Sequence, residues 1–255
     1  MEHLYLALDL ESKTSAAGKS HIAAHVTPDP RLEREDPPAI IRNIKSPELK
    51  AQRLAAWSAE QELKRQTSIA TKLAKRLDEG ALHWWTGEVI LIVAIDLVTG
   101  LTKVYDGPIE RDLLEGFCAD LQEIFPRHVL IGKHSALFDL PYLRGRLMAH
   151  VLGLPPHLRV QPYRPLQDVN HIFSTSSQCA QIGTLDDYAF GLGIPGKTGK
   201  ATEVASLHDA ALGGDDLARK KLIDYCTRDT AIVVEMLRRF GKDFPRQLVE
   251  VPDVV

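Results

Sequence analysis

Apolar residues dominate Leu4 to Leu10 (LYLALDL) in short alternating pieces, which predicts a first, buried strand. The pattern then dissolves. Residues 13–45 mix Gly, Ser, Pro and both charges (KTSAAGKSH, TPDPRLEREDPP) without a period and read as loop. Ser46-Pro47 opens a helix, with Ser as N-cap and Pro at the first helical position. Leu49, Leu54, Trp57 and Leu63 give a patchy apolar face on a strongly charged helix running towards Asp78, and Gly80 stops it. The 13–80 stretch reads as a helical insertion arm after the first strand: a lid, a partner-binding helix or a dimer contact.

Glu88 to Leu97 (EVILIVAIDL) predicts a second, β-branched strand, turned by Val98-Thr99-Gly100 into a third from Leu101 to Tyr105. Leu113, Leu114, Phe117, Leu121 and Ile124 recur at helical spacing over Asp112–Phe125, and Pro126 ends that helix. His128 to Gly132 is a short buried strand leading into loop and then helix (HSALFDLPYLRGRLMAHVLG). Residues 153–180 are loop-rich, and helices follow at about 184–192, 201–212 and 215–240. The order predicts an α/β fold, a mixed sheet flanked by helices. A single domain over 1–255 is expected, with 88–240 completing the core that the first strand begins.

Composition narrows the function classes. The chain has 255 residues, 44% hydrophobic and 25% charged, enough for a sizeable core without disulfides. Three scattered cysteines (Cys118, Cys179, Cys226) form no CxxC pair and read as thiols in a reducing compartment. No basic leader and no run of ~18 apolar residues is present, so a cytoplasmic protein without a membrane span is expected. The net charge of −3 disfavours passive coating of nucleic acid. It leaves room for an enzyme that grips a few phosphates through bound cations.

The chemistry sits in scattered acids. Asp9 and Glu11 are two apart on a strand and emerge on one face. Asp139, in Leu137-Phe138-Asp139-Leu140-Pro141, is placed to cap the helix beginning near Pro141. Tyr225 and Asp229 are four apart on the last helix, one turn apart on one face. Alone, each has a bland reading: a solvated strand end, a cap, a core-edge Tyr beside a solvated Asp. Together they can meet at one sheet edge, where unscreened carboxylates 4 Å apart repel by ~4 kcal/mol at an effective dielectric near 20. Such a set needs cations, and hard oxygen ligands select Mg²⁺ or Mn²⁺ over zinc.

LALDLES, LIGKHSALFDLPYL and DYCTRDTAIV resemble the three exonuclease motifs of the DEDDy 3′→5′ exonucleases, whose fold is ribonuclease H-like. TLDDYAFGLGIPGKTGK followed by DYCTRD is similar to predicted exonucleases related to the proofreading domain of family B DNA polymerases. The resemblance covers the first strand and most of 88–240. It implies that Asp9, Glu11, Asp139 and Asp229 hold two Mg²⁺ or Mn²⁺ ions, ~3.5–4 Å apart. It also implies that Tyr225 orients the attacking water, that 3′ ends of single-stranded DNA are the substrate, and that nucleoside 5′-monophosphates are released. An exoribonuclease on the same site, or a non-catalytic nucleic-acid-binding module with a vestigial site, are the alternatives. Phe138 and Leu10 are candidates to wedge or stack on terminal nucleotides. Relatives usually carry Asn five residues before the second-motif Asp; here His134 stands there, either a substrate contact or a ring satisfying a local group.

Gly191 to Thr198 matches the G-x-x-x-x-G-K-[ST] phosphate-loop pattern but follows a capped helix rather than a strand, and Pro195 removes an amide. It reads as a helix-linking loop, or as one whose Lys197 and Lys200 touch the nucleic-acid backbone. His21 and His25 lack an acidic partner and read as solvated. Trp84-Trp85 read as core or arm anchors, and Arg144 or Arg146 as residues that lean towards substrate or lie on a solvated face.

Overall fold

The structure is a computed structural model and describes residues 4–33, 36–159, 168–170 and 183–240. The chain divides into two compact units, one of residues up to 13 and from 88 onward, the other Thr14–Gly87.

The first unit is built on a four-stranded mixed sheet. Its strands are β1 (Leu4–Thr14), β2 (Gly87–Asp96), β3 (Thr102–Asp106) and β4 (His128–Ile131), in the order β3-β2-β1-β4. β1 and β4 are parallel, with Leu4 opposite His128 and Ala7 opposite Ile131, whereas β2 and β3 form an antiparallel hairpin. A parallel bridge between Gly132 and Asp168 continues the sheet beyond β4.

The helices of this unit are α5 (Glu110–Glu123), α6 (Asp139–Ala149), α7 (Leu185–Leu192), α8 (Val204–Leu212) and α9 (Asp216–Phe240). Strand alternation sends Leu6, Leu8 and Leu10 into a core with Leu113, Leu114 and Phe117 of α5 and Leu140 and Leu143 of α6. Ala7 points the other way, into a second core with Leu222, Tyr225, Cys226 and Ile232 of α9. Each fully buried Leu, Ile or Phe among them stabilises by about 1.5–3 kcal/mol. The same alternation places Asp9 and Glu11 on the α9 side of β1. This is how a period of two delivers two acids to one site.

α7 is closed at both ends by its own residues. Thr184 and Asp187 form a capping box, and Gly193 ends the helix in the left-handed conformation at φ 65°. α6 begins at Asp139 rather than near Pro141, with Phe138 in the cap position and no side-chain cap bond. Asp139 therefore does not cap this helix; its carboxylate is released for other contacts.

The second unit is helical: α1 (Ala16–His25), α2 (Pro30–Glu33), α3 (Ala39–Arg42) and α4 (Pro47–Gly80). Three short helices thus occupy the stretch expected to be loop. α1 escapes a periodicity reading because its buried residues are only Gly18 and Ile22, while its alanines supply helix propensity. Ser15 caps it by accepting from the Gly18 N–H at 3.0 Å. α4 starts as expected, with the Ser46 hydroxyl accepting from the Leu49 N–H. Trp84 and Trp85 are not core anchors: they are 37% and 59% exposed, with Trp85 stacked on His83 at 4.6 Å. His21 and His25 are exposed on α1. Among the described residues, no helix is long and apolar enough to cross a membrane.

Candidate active site

The first unit gathers its acids in one cavity of about 440 Å³, lined by Asp9, Glu11, Asp139, Asp229 and Tyr225. β1 contributes the first two. Asp139 arrives because a tight turn after β4 reverses into α6: Leu137 and Phe138 N–H groups donate to the His134 carbonyl, and Leu140 N–H donates to the Ser135 carbonyl. α9 presents Tyr225 and Asp229 one turn apart, only 4% and 3% exposed. The site lies just past the end of β4, beside the stretch of β1 that runs on beyond its pairing with β4 at Ala7.

Burial and mutual repulsion govern the electrostatics. Burial, then the Asp229 charge, pushes Asp9 up to about 7. Burial and Asp9 hold Glu11 well above its ordinary range, and burial, Asp9 and Asp168 do the same for Asp139. Burial also raises Asp229, against the pull of Lys197. Burial lifts the Tyr225 phenol to about 12, so it is a neutral hydroxyl at physiological pH.

Lys197 changes the picture drawn from sequence. Its Nζ lies 2.6 Å from Asp229 Oδ2 and 3.1 Å from the Tyr225 hydroxyl, so its ammonium sits inside the carboxylate site. The loop that carries it is pinned: Lys197 N–H donates to Asp186 Oδ1 at 2.7 Å, and Arg228 Nε donates to the Gly196 carbonyl at 3.0 Å. A Cβ on Gly196 would lie 2.6 Å from Asp186 Oδ1, so a larger residue there would push that carboxylate aside. Lys200 is exposed and does not line the cavity.

The donor set fits hard divalent cations. Asp229 Oδ1 is buried with no hydrogen-bond partner, an acceptor that a cation would satisfy. Ligand atoms of Asp9, Glu11 and Cys226 lie within 4.8 Å of one another. Burial and the neighbouring acids raise the Cys226 thiol far above its ordinary range. It acts as a donor, with Sγ 3.4 Å from Asp9 Oδ2. The carboxylates of Asp9, Glu11, Asp139 and Asp229 make the donor set mainly oxygen, which suits Mg²⁺ or Mn²⁺.

The other candidates divide. Phe138 and Leu10 line the cavity, Phe138 half-buried against Tyr142 and Leu10 only 5% exposed as part of the core. His134 does not line it; its Nδ1 lies 3.1 Å from Asn170 Nδ2, and its backbone N–H donates to Asp168 at 3.1 Å. Arg144 and Arg146 serve structure elsewhere, on the Leu158 carbonyl and on Glu110. Lys133 and Asp186 line the cavity without having been singled out from sequence. Lys133 was hidden inside the second motif, and Asp186 read only as part of a capped helix start.

The chain matches no protein-family model and no curated protein. Among solved structures it is similar to the family B DNA polymerase from the hyperthermophilic archaeon Pyrobaculum calidifontis, with a TM-score of 0.53 and 16% identity over 94% of this chain. The chain spans about 25% of that polymerase chain. At this identity the likeness shows the fold: a mixed α/β sheet with helices, of a kind found within a DNA-processing enzyme.

Proposed function

We propose that this protein is a 3′→5′ exonuclease of the DEDDy type on a ribonuclease H-like fold. It would hydrolyse phosphodiester bonds at the 3′ ends of single-stranded DNA and release nucleoside 5′-monophosphates. The observation that carries this reading is the convergence of Asp9, Glu11, Asp139 and Asp229 with Tyr225 in one cavity. A sheet ordered β3-β2-β1-β4 and extended in parallel beyond β4 is compatible with that fold.

The four carboxylates would hold two Mg²⁺ or Mn²⁺ ions, which supply an activated water and stabilise the leaving 3′ oxygen. The protein's own groups do the rest. Tyr225, a neutral phenol anchored in α9, can hold a water by hydrogen bond at the carboxylate cluster. Phe138 and Leu10 give the cavity an apolar wall for the terminal sugar and base. The volume of about 440 Å³ lies within the 300–1,000 Å³ of small-ligand clefts and suits one nucleotide better than a duplex.

Incubating a 5′-labelled oligonucleotide with Mg²⁺ or Mn²⁺ should give a ladder shortened from the 3′ end, absent in Asp229→Ala. Paired DNA and RNA substrates decide between deoxyribonuclease and exoribonuclease. No ladder with either polymer and any divalent ion would overturn the reading.

The Lys197–Asp229 ion pair bears on the non-catalytic alternative, since it satisfies one oxygen of Asp229 without metal. As an internal cation, Lys197 competes for Asp229. Lys197→Met should therefore bind Mn²⁺ about tenfold or more tightly, because unit charges at 4 Å interact by about 4 kcal/mol at an effective dielectric of 20. Electron paramagnetic resonance titration of Mn²⁺ reads this directly. Unchanged affinity would show that Lys197 does not occupy a metal position.

A further inference from the structure

We infer that Lys133 is a substrate-phosphate contact, taking a non-bridging oxygen of the scissile phosphate; the inference rests on the exonuclease reading above. Lys133 is half-buried in the wall of the carboxylate cavity. Its ammonium forms no hydrogen bond or ion pair with any described residue, in contrast to Lys197, which is held by Asp229 and Tyr225. Burial lowers its pKa, and the charges around it are Asp168, Asp187 and Asp229, with Lys197 opposing. A half-buried cation held near acids but bonded to none of them is a site prepared for an anion.

Its backbone is fixed on both sides. Gly132 is bridged to Asp168, and a Cβ there would lie 2.6 Å from the Leu8 carbonyl, so the chain is pressed against β1 at that point. His134 follows in the left-handed conformation at φ 65°, its N–H bound to Asp168 Oδ1. The Asp168 carboxylate also accepts the Asn170 N–H at 2.9 Å, and Asn170 Nδ2 reaches His134 Nδ1. Asp168 and Asn170 thus act as positioning residues for the turn. A side chain between two pinned residues loses little further freedom on binding. The charge balance agrees: five carboxylates line the cavity and repel a phosphodiester, and Lys133 is the lining cation that has no ion pair among the described residues.

The test uses the full chain, wild type against Lys133→Met and Lys133→Arg, with Mn²⁺ and a labelled oligothymidylate. Lys133→Met should raise KM and the inhibition constant of thymidine 5′-monophosphate about tenfold, with kcat changed far less. The slope of log KM against log salt should fall by about 0.7, the loss of one phosphate contact on a single strand. Lys133→Arg should restore most of both, and Mn²⁺ affinity should not weaken. Binding of the same oligothymidylate to Ca²⁺-loaded protein, followed by fluorescence anisotropy, should show the same tenfold loss without turnover. An inactive wild type would overturn the exonuclease reading. An active wild type whose Lys133→Met variant keeps KM, product inhibition and salt slope would overturn Lys133 alone.

Discussion

Asp9→Asn is expected to lose metal-dependent hydrolysis by about 10³-fold or more, while the metal-free variant unfolds at a higher temperature than wild type. The two effects share one cause. Asp9 has an ordinary value of 3.8 and is pushed to about 7 in the folded protein by burial and by Asp229. Between those values the folded state keeps a proton that the unfolded chain has lost, so stability falls as pH rises through the window. Above about pH 7 the folded protein carries the full penalty of an ionised carboxylate among others. Asparagine cannot ionise, and it keeps an oxygen to accept from the Cys226 thiol now 3.4 Å from Asp9 Oδ2. The gain should be about 1–3 kcal/mol, or roughly 3–8 °C in Tm for a chain of this size. Mn²⁺ should raise the Tm of wild type far more than that of the variant. Scanning calorimetry across pH, with and without Mn²⁺, measures all of it. A variant less stable than wild type at every pH, or one retaining activity, would sink the assignment.

How far the site could be read from sequence depended on periodicity. Asp9 and Glu11 stand out because strand alternation puts acids on the same side as Ala7, against an otherwise apolar strand. Tyr225 and Asp229 stand out because helical spacing places them a turn apart. The sheet strands and most helices of the first unit carry such periods, and most of their bounds agree within about two residues, although β1 runs four residues past Leu10 to Thr14 and α8 starts at Val204 rather than at 201. Lys133 and Lys197 carry none. Each lies in a turn, and its destination is set by non-local partners: Asp168 for the turn at His134, and Asp186 and Arg228 for the loop at Lys197. The same reason hides α1, which packs through a glycine and one isoleucine rather than through a stripe.

The largest expected change in stability lies outside the cavity. Arg146→Met should destabilise the protein by about 3–5 kcal/mol, because it leaves Glu110 buried without its principal counter-charge. Glu110 and Arg146 side chains are only 7% and 13% exposed. Arg146 Nε donates to Glu110 Oε1 at 2.8 Å, and a second guanidinium nitrogen donates to Oε2, a two-point contact. His150 Nε2 at 2.7 Å and the Val89 N–H at 2.6 Å complete the shell. Burial alone would raise Glu110, yet Arg146, His150 and Val89 together hold it below the ordinary carboxylate range. A depressed carboxylate stabilises above its unfolded pKa, and that contribution is lost as pH falls through the folded value. The gap between wild type and Arg146→Met should therefore be full at neutral pH and shrink in acid, once Glu110 is protonated in both. Adding Glu110→Gln to the variant should recover part of the loss, since no charge is then left unpaired. The network also ties α6 to α5 and to the start of β2. Asp139 begins α6 two turns before Arg146, so loosening that helix should weaken Mn²⁺ binding although no cavity residue has changed. Chemical denaturation at neutral and acid pH, paired with Mn²⁺ titration, separates the effects. Unaltered stability at neutral pH would show that the ion pair is not the clamp on this helix.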